Sequence, residues 1–439
     1  MEIDPARDER PGPSTRLEVR EPLEQADPHL LATSDGPVGR RIQAVAGRKK
    51  IRPLFEVRTR RRMLSLETDG LPPGQIVLDE TAIRPGVGGA PTRLQRVEID
   101  APAPALEVLR PFVDALSSAC GLQPAGLTPY QAGVLTSGLK PVSQGFGPTA
   151  IDSQAPIGRV ALAVLRRHFA VLLAKEPGTR LGDDAEELHD MRVAGRRLRA
   201  ALSLFADVLP PSAASFGDDL RWLGRALGAV RDLDVQLEQL EGWLAKLPEA
   251  DREALAAVRA LLEADRAAAR EAMLSDLDSR RYELFVGRFG RMLRVARGRR
   301  SGPASLPALV VAPSLIEDRF AALRAAAEQI AGDSPASDYH RLRIRCKRLR
   351  YALEFLADLY PGQTRRLTKR LVALQDVLGL HQDADVAIER LRALATTRGT
   401  ELPPEAIFAM GELAERYRRR AVELRARFPQ AYARVGGKA

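Results

Sequence analysis

The sequence predicts a mainly α-helical protein whose helical region is duplicated in two halves, preceded by a smaller α+β region. Three observations carry this expectation: a change of texture near Pro156, a duplication at one fixed offset of 151 residues, and short period-two runs confined to the N-terminal third. Of the 31 prolines, 18 precede residue 151, so that third is poor in helix-building sequence. Beyond it, Ala, Leu, Arg and Glu dominate and apolar residues recur three and four apart, the period of an amphipathic helix.

The elements follow in chain order. Residues 1–51 are rich in proline and charge and are expected to be a poorly ordered or remnant segment. Runs from Phe55, from Gln75 and from Arg93 alternate apolar and polar residues, which predicts antiparallel strands joined by turns. Residues 103–121 read as one amphipathic helix and 122–154 as Gly/Pro/Ser-rich connecting chain, with the α+β region at 52–140 and a linker at 141–154. The helical region spans 155–439, and its break near 301–313 separates halves at about 155–300 and 314–439.

Composition bounds the function. With 439 residues, 45% apolar and 28% charged, the chain is long enough for two or three domains. It has no uninterrupted apolar run of about 18 residues, which excludes a helical membrane span, and its acidic, proline-containing start is no signal peptide. A cytoplasmic protein is expected. Cys120 and Cys346 are too few for a disulfide framework and share no metal-ligand spacing, so both are expected as reduced residues in packed elements. Residues 1–150 carry a net charge of +1 and residues 151–439 carry +9, which points the helical region toward an anionic partner.

The duplication is specific. Residues 189–202 match 340–353 at His189/His340, Arg192/Arg343, Arg197/Arg348, Leu198/Leu349, Arg199/Arg350 and Leu202/Leu353, with Arg196 opposite Lys347. The same register returns nearly 40 residues on, pairing Gly228/Gly379, Asp232/Asp383, Asp234/Asp385 and Val235/Val386. On a helical wheel with His189 at zero, Arg192, Arg196 and Arg199 fall between about 280° and 340°, a cationic stripe about 15 Å long. Met191, Ala194, Leu198, Leu202 and Phe205 gather opposite as a core-facing seam. His340, Arg343, Lys347 and Arg350 repeat the stripe. Arg197 and Arg348, at about 80°, fall outside it and are expected to pair with acidic residues or lie along the bundle.

A solvated helix face normally mixes signs one turn apart to gain ion pairs. These stripes instead repeat like charge, twice, which is unfavourable unless a polyanion or facing carboxylates compensate it. Asp232, Asp234, Asp383 and Asp385 are expected as structural salt-bridge partners rather than catalysts. Of the five histidines, His189, His340 and His381 lie in the repeated motifs, and a His heading each stripe can donate to phosphate oxygens. HisAsp at 189–190 suggests a metal phosphohydrolase, but the second copy reads HisArg and no further His/Asp set has ligand-like spacing.

These motifs resemble the CHAD family, named for its conserved histidines and α-helices. The resemblance covers about 151–439 and rests on HisXxxXxxArg followed by ArgArgLeuArg or LysArgLeuArg in both halves, then LeuGlyXxxXxxArgAspLeuAspVal from Leu227 and LeuGlnAspValLeuGly from Leu374. It implies two pseudo-twofold related antiparallel helical bundles with a basic channel or groove between them that binds inorganic polyphosphate without chemistry of its own, in association with polyphosphate granules. The implied binding positions are His189, Arg192, Arg196, Arg199, His340, Arg343, Lys347 and Arg350, with Arg365, Arg366, Lys369 and Arg370 as supporting cations. No catalytic residue, metal or cofactor is implied.

Residues 52–140 resemble the latter half of a CYTH domain, the antiparallel tunnel of the triphosphate tunnel metalloenzymes. Arg58, Arg60 and Arg62 share one strand face by alternation, as do Arg96, Glu98 and Asp100, the mixed lining such a tunnel requires. The first-strand GluXxxGluXxxLys signature is absent from residues 1–60, and Ala132, Gly133 and Thr136 stand where the closing SerLysXxxXxxArg motif would fall. The tunnel therefore reads as truncated and degenerate, with open sheet edges that a homo-oligomer would cover. The rival functions are a metal-dependent triphosphatase or polyphosphatase using Glu98 and Asp100, and nucleic-acid binding. Against the latter stand 5% aromatic content and the lack of a reading motif.

Overall fold

In the computed structural model the described residues are 19, 21–22, 30, 33–47, 49, 51–67, 74–85, 90–123, 128–137, 145–245, 249–296, 302–360 and 362–436. They fall in two compact units, Met1–Gln144 and Gly145–Ala439. Twelve helices and three strands are present among them.

In the first unit, most of the segment expected to be poorly ordered, 1–51, lies outside the described residues. Its described part contains helix α1 (Pro37–Ala46), and the Glu21 carboxylate accepts from the Val38 and Gly39 amides at 2.8 and 3.0 Å, satisfying donors at the positive helix end. Strands β1 (Phe55–Leu66), β2 (Gly74–Pro85) and β3 (Thr92–Asp100) form an antiparallel sheet in sequence order. The register corrects one expectation. Arg58, Arg60 and Arg62 stand opposite Ala82, Glu80 and Leu78, whereas Arg96, Glu98 and Asp100 stand opposite Asp79, Val77 and Gln75. Directly paired residues share a face and neighbours along a strand do not. The two triads therefore lie on opposite faces and cannot line one tunnel. Across the strands Arg61 Nε and Nη2 donate to Asp79 at 2.8 and 2.7 Å, while Arg58 Nε donates to Glu56 of its own strand at 2.5 Å.

After α2 (Ala103–Cys120) comes a helix the composition hides, α3 (Pro129–Thr136), inside the stretch read as connecting chain. Thr128 and Gln131 form a reciprocal capping box ahead of it, and Pro129 at its first position needs no N–H partner. Gly133 lies against the Phe55 ring, where any Cβ would collide with the aromatic carbons. Cys120 is exposed rather than packed, while Cys346 is buried as expected.

The second unit displays the duplication in three dimensions. Helices α4 (Ile157–Leu181), α5 (Ala185–Leu204), α6 (Phe216–Leu244), α7 (Glu249–Leu277) and α8 (Arg280–Val295) make the first half. Helices α9 (Ala308–Ala327), α10 (Ala336–Phe355), α11 (Gln363–Thr397) and α12 (Pro404–Gly436) make the second. Both ends of α5 and α10 are 151 residues apart, as are the starts of α4 and α9. The pseudo-twofold axis is visible in the backbone: Pro156 pairs with Pro307, Ile157 N–H donates to the Leu306 carbonyl, and Ala308 N–H donates to the Ala155 carbonyl, both at 2.9 Å. Each bond is the other's symmetry mate. The second half thus begins at Ala308, not near 314, because α9 keeps Pro313 inside it at the loss of one i to i−4 bond.

The apolar seam read from the wheel, Met191, Ala194, Leu198, Leu202 and Phe205, is buried throughout. It meets an aromatic cluster in which Phe289 lies 4.8 Å from Phe169 and 4.7 Å from Phe216, edge to face. Tyr351, Ala352 and Phe355 of α10 and Leu356 just after it enter this same core, so the first half is completed by residues of the second. Leu342, Cys346, Leu349 and Leu353 form a further core with Leu371, Leu374, Leu378 and Phe428.

Arg166 on α4 is buried beside this core without a carboxylate. Its guanidinium donates to the Leu293 carbonyl at 2.7 and 3.2 Å, to Ala296 at 3.1 Å and to Pro148 at 3.2 Å, capping the C-terminal end of α8. Arg166→Met keeps the volume but strips these carbonyls of donors, and is expected to cost about 2–3 kcal/mol. Denaturant unfolding of the two proteins checks this; a midpoint equal to the parent's would show that the cap contributes nothing.

Candidate functional site

The twofold brings α5 and α10 side by side, and their charged faces enclose a groove of about 630 Å³. Arg192, Arg196 and Arg199 of α5 line it together with Arg343, Lys347 and Arg348 of α10. Arg221 of α6 and Arg319 of α9 extend it, and Tyr351 forms part of its floor. No aspartate or glutamate lines it among the described residues.

Local sequence explains how such crowded cations fit. A Cβ on Gly228 would stand 3.5 Å from Arg192 Nε, and one on Gly379 would stand 3.8 Å from Arg343 Nε. Anything longer than alanine at these paired glycines would press on the guanidinium, which is the physical content of the repeated LeuGly. Behind the stripes sit the paired aspartates. Asp232 contacts Arg192 at 3.7 Å and Arg390 of the other half at 3.4 Å, its carbonyl also accepting from Arg390 at 3.1 Å. Asp234 binds Arg266 at 2.5 Å, and Asp383 lies within electrostatic reach of Arg343 and Lys347.

These carboxylates leave much repulsion uncompensated. Burial lowers the Arg192 and Arg343 pKa values, and Arg196 pulls both further down. Lys347 responds most: burial, then Arg196, Arg343, Arg350 and Arg192, depress its ammonium to about 7. The buried Nε atoms of Arg192, Arg196, Arg343 and Arg350 have no hydrogen-bond partner among the described residues. The arrangement is a preorganised set of donors and positive charge, matched chemically to an oxyanion-rich ligand.

Not every residue read from the sequence joins the groove. His189 and His340 head their helices outside its lining. Burial and Arg231 lower the His189 pKa, and His340 Nδ1 lies 2.6 Å from Gln382 Oε1, Gln382 being the 151-residue mate of Arg231. His381 is buried, its Nε2 accepting from Arg425 Nε at 3.0 Å. Arg350 turns to Glu354 at 3.4 Å, and the same carboxylate holds Arg197 of the other half at 2.9 Å, as expected for Arg197. Arg365, Arg366, Lys369 and Arg370 open α11 but do not line the groove.

Conversely, Arg348 lines it although the wheel sets it off the stripe: its repeat mate Arg197 is held by Glu354, whereas the mate of Glu354 is Ser203, which offers Arg348 no carboxylate. Arg221 and Arg319 come from other helices and their repeat mates are Val372 and His168, so the duplication carried no signal for them. Tyr351, as an apolar-patterned residue facing Ala200 in the repeat, reads only as core.

The CHAD domain family matches residues 163–392. The crystal structure of the CHAD domain from the plant Ricinus communis is 33% identical, with a TM-score of 0.54, covering 65% of this chain and 94% of that one. PptA from Streptomyces chartreusis, at 21% identity and a TM-score of 0.53, covers 63% of this chain and 99% of its own, and attests the fold alone. No curated protein matches the chain. No described helix is long and apolar enough to cross a membrane. With the family matched over more than half its length and the repeated helices meeting at a basic groove, the chain belongs to the CHAD family.

Proposed function

We propose that the protein binds inorganic polyphosphate, noncatalytically, in the groove between α5 and α10, and associates through it with polyphosphate granules. The observation that carries the reading is the convergence of eight cationic side chains from both halves on a groove that no carboxylate lines among the described residues. A linear polyanion satisfies this pattern along its whole length, whereas a groove with one floor tyrosine and no aromatic stripe offers bases little to stack on. The sheet of the first unit reads as a CYTH-like remnant. A triphosphatase there is disfavoured, since Arg58, Arg60 and Arg62 face away from Glu98 and Asp100.

One titration at physiological salt tests this: long-chain polyphosphate, triphosphate, single-stranded RNA and duplex DNA against the full chain and against residues 145–439, the compact helical unit. Both proteins are expected to prefer polyphosphate and to bind it about equally. Preference for RNA or DNA would overturn the reading, and so would loss of most affinity in the helical unit. Metal-stimulated phosphate release abolished by Glu98→Ala would overturn its noncatalytic part.

A further inference from the structure

Under the groove cations lies a side chain the charge pattern does not single out. Tyr351 is 3% exposed, and its ring is flanked by the guanidinium carbons of Arg196, Arg197 and Arg350, at 5.9, 5.8 and 5.4 Å from the centroid. Its hydroxyl is buried and has no hydrogen-bond partner among the described residues. Tyr351 lines the groove together with Arg192 and Arg343, which are twofold mates.

A buried polar group without a partner costs free energy, and folded proteins keep few of them. Here the phenol and the Nε atoms of Arg192, Arg196 and Arg343 have no hydrogen-bond partner among the described residues, and all four side chains line the groove. Arginine Nε only donates, and a phenol surrounded by donors has its own hydrogen to give. What is missing is a compact group rich in acceptors and negative charge. Resting on the polyphosphate reading above, we propose that Tyr351 anchors one phosphoryl group of the ligand, its hydroxyl donating to an oxygen held between Arg192 and Arg343. The repeat places Ala200 where a second tyrosine would stand, so the groove has one such anchor rather than two. The central phosphoryl group is fixed there, while its neighbours along the chain meet the other cations that line the groove, Arg199 and Arg348 among them.

The test compares the full chain with Tyr351→Phe, which keeps the ring and its cation contacts and removes only the hydroxyl. Tripolyphosphate binding by calorimetry is expected to weaken about tenfold, the effect of one hydrogen bond to a charged acceptor. The free variant should melt at the parent's temperature or above it, because an unsatisfied hydroxyl has been removed. Near-ultraviolet difference absorption gives a second readout: tripolyphosphate should perturb a tyrosine band in the parent that is missing from the variant. Equal affinities within twofold would overturn the proposal, as would an unaltered tyrosine band in the parent. A variant that melts lower or does not fold would also overturn it, since the hydroxyl would then be a structural bond. If the parent itself takes no polyphosphate or triphosphate, the functional reading fails and this inference with it; if the parent binds and the variant matches it, the inference fails alone.

Discussion

Neutralising Arg192, Arg196 and Arg199 together to glutamine is expected to weaken binding of long polyphosphate about 100-fold or more, from about 1 kcal/mol for each cation facing a phosphoryl charge. Neutralising Arg343, Lys347 and Arg348, the cations that line the facing side, is expected to do the same. Combining the two sets should add little to either. The reason is geometric: both stripes line one groove, so a chain held by the first meets the second at high local concentration, and loss of either turns the remainder into an isolated patch. The facing cations also repel one another, Arg192 and Arg196 acting on both Arg343 and Lys347. Removing one set should therefore leave the free protein melting no lower than the parent, provided Asp232 keeps its contact with Arg390. Calorimetry at fixed salt, with circular dichroism on each variant, measures both effects. Small losses that add would mean two independent surface patches. Because the stripes face each other directly, triphosphate should also touch both, and its losses should follow those of the long chain.

Binding is expected to consume a proton and to weaken as pH rises above about 7. In the empty groove Lys347 titrates near 7, since burial and then Arg196, Arg343, Arg350 and Arg192 disfavour its charged form. A bound polyanion favours that charged form and raises the pKa. Between about 7 and the raised value the complex therefore holds more protons than the free protein, and affinity falls by up to about tenfold per pH unit. Below 7 Lys347 is charged in both states and contributes no slope. His189, whose pKa is lowered by burial and Arg231, can add a smaller rise in affinity on the acid side. The same depression governs stability: the unfolded chain holds the Lys347 proton more tightly, so the free protein gains stability as pH rises from about 7 toward the ordinary lysine value. Lys347→Arg keeps the charge at every pH and should flatten the slope above 7. Calorimetry at pH 8 in two buffers of different ionisation enthalpy reads the proton directly; an unchanged slope in the arginine variant would assign the effect elsewhere.

Much of this molecule is legible in one dimension because its determinants are local or repeated. Period-two runs mark the three strands, whose first begins at Phe55 as read, and the 151-residue offset read from the motifs recurs between both ends of helices α5 and α10. Helical periodicity separates the buried seam of Met191, Leu198 and Leu202 from the cationic face, since both follow from 3.6 residues per turn. The short α3 escapes because its signal is a capping box of two side chains rather than a periodic face. What only the tertiary structure decided are relations between elements. Alternation fixes which residues share a face within β1 or within β3, but the pairing of each with β2 decides whether Arg60 and Glu98 face each other, and they do not. The wheel gives Arg348 and Arg350 their angles, but only the folded chain shows one lining the groove and the other turned toward Glu354. Tyr351 carries no charge and no motif, and becomes a candidate ligand contact only because folding buries its hydroxyl among donors that have no acceptor. Secondary structure answers to neighbours along the chain, whereas register, helix crossing and the satisfaction of buried polar groups depend on residues far apart in sequence, which is why they had to be seen folded.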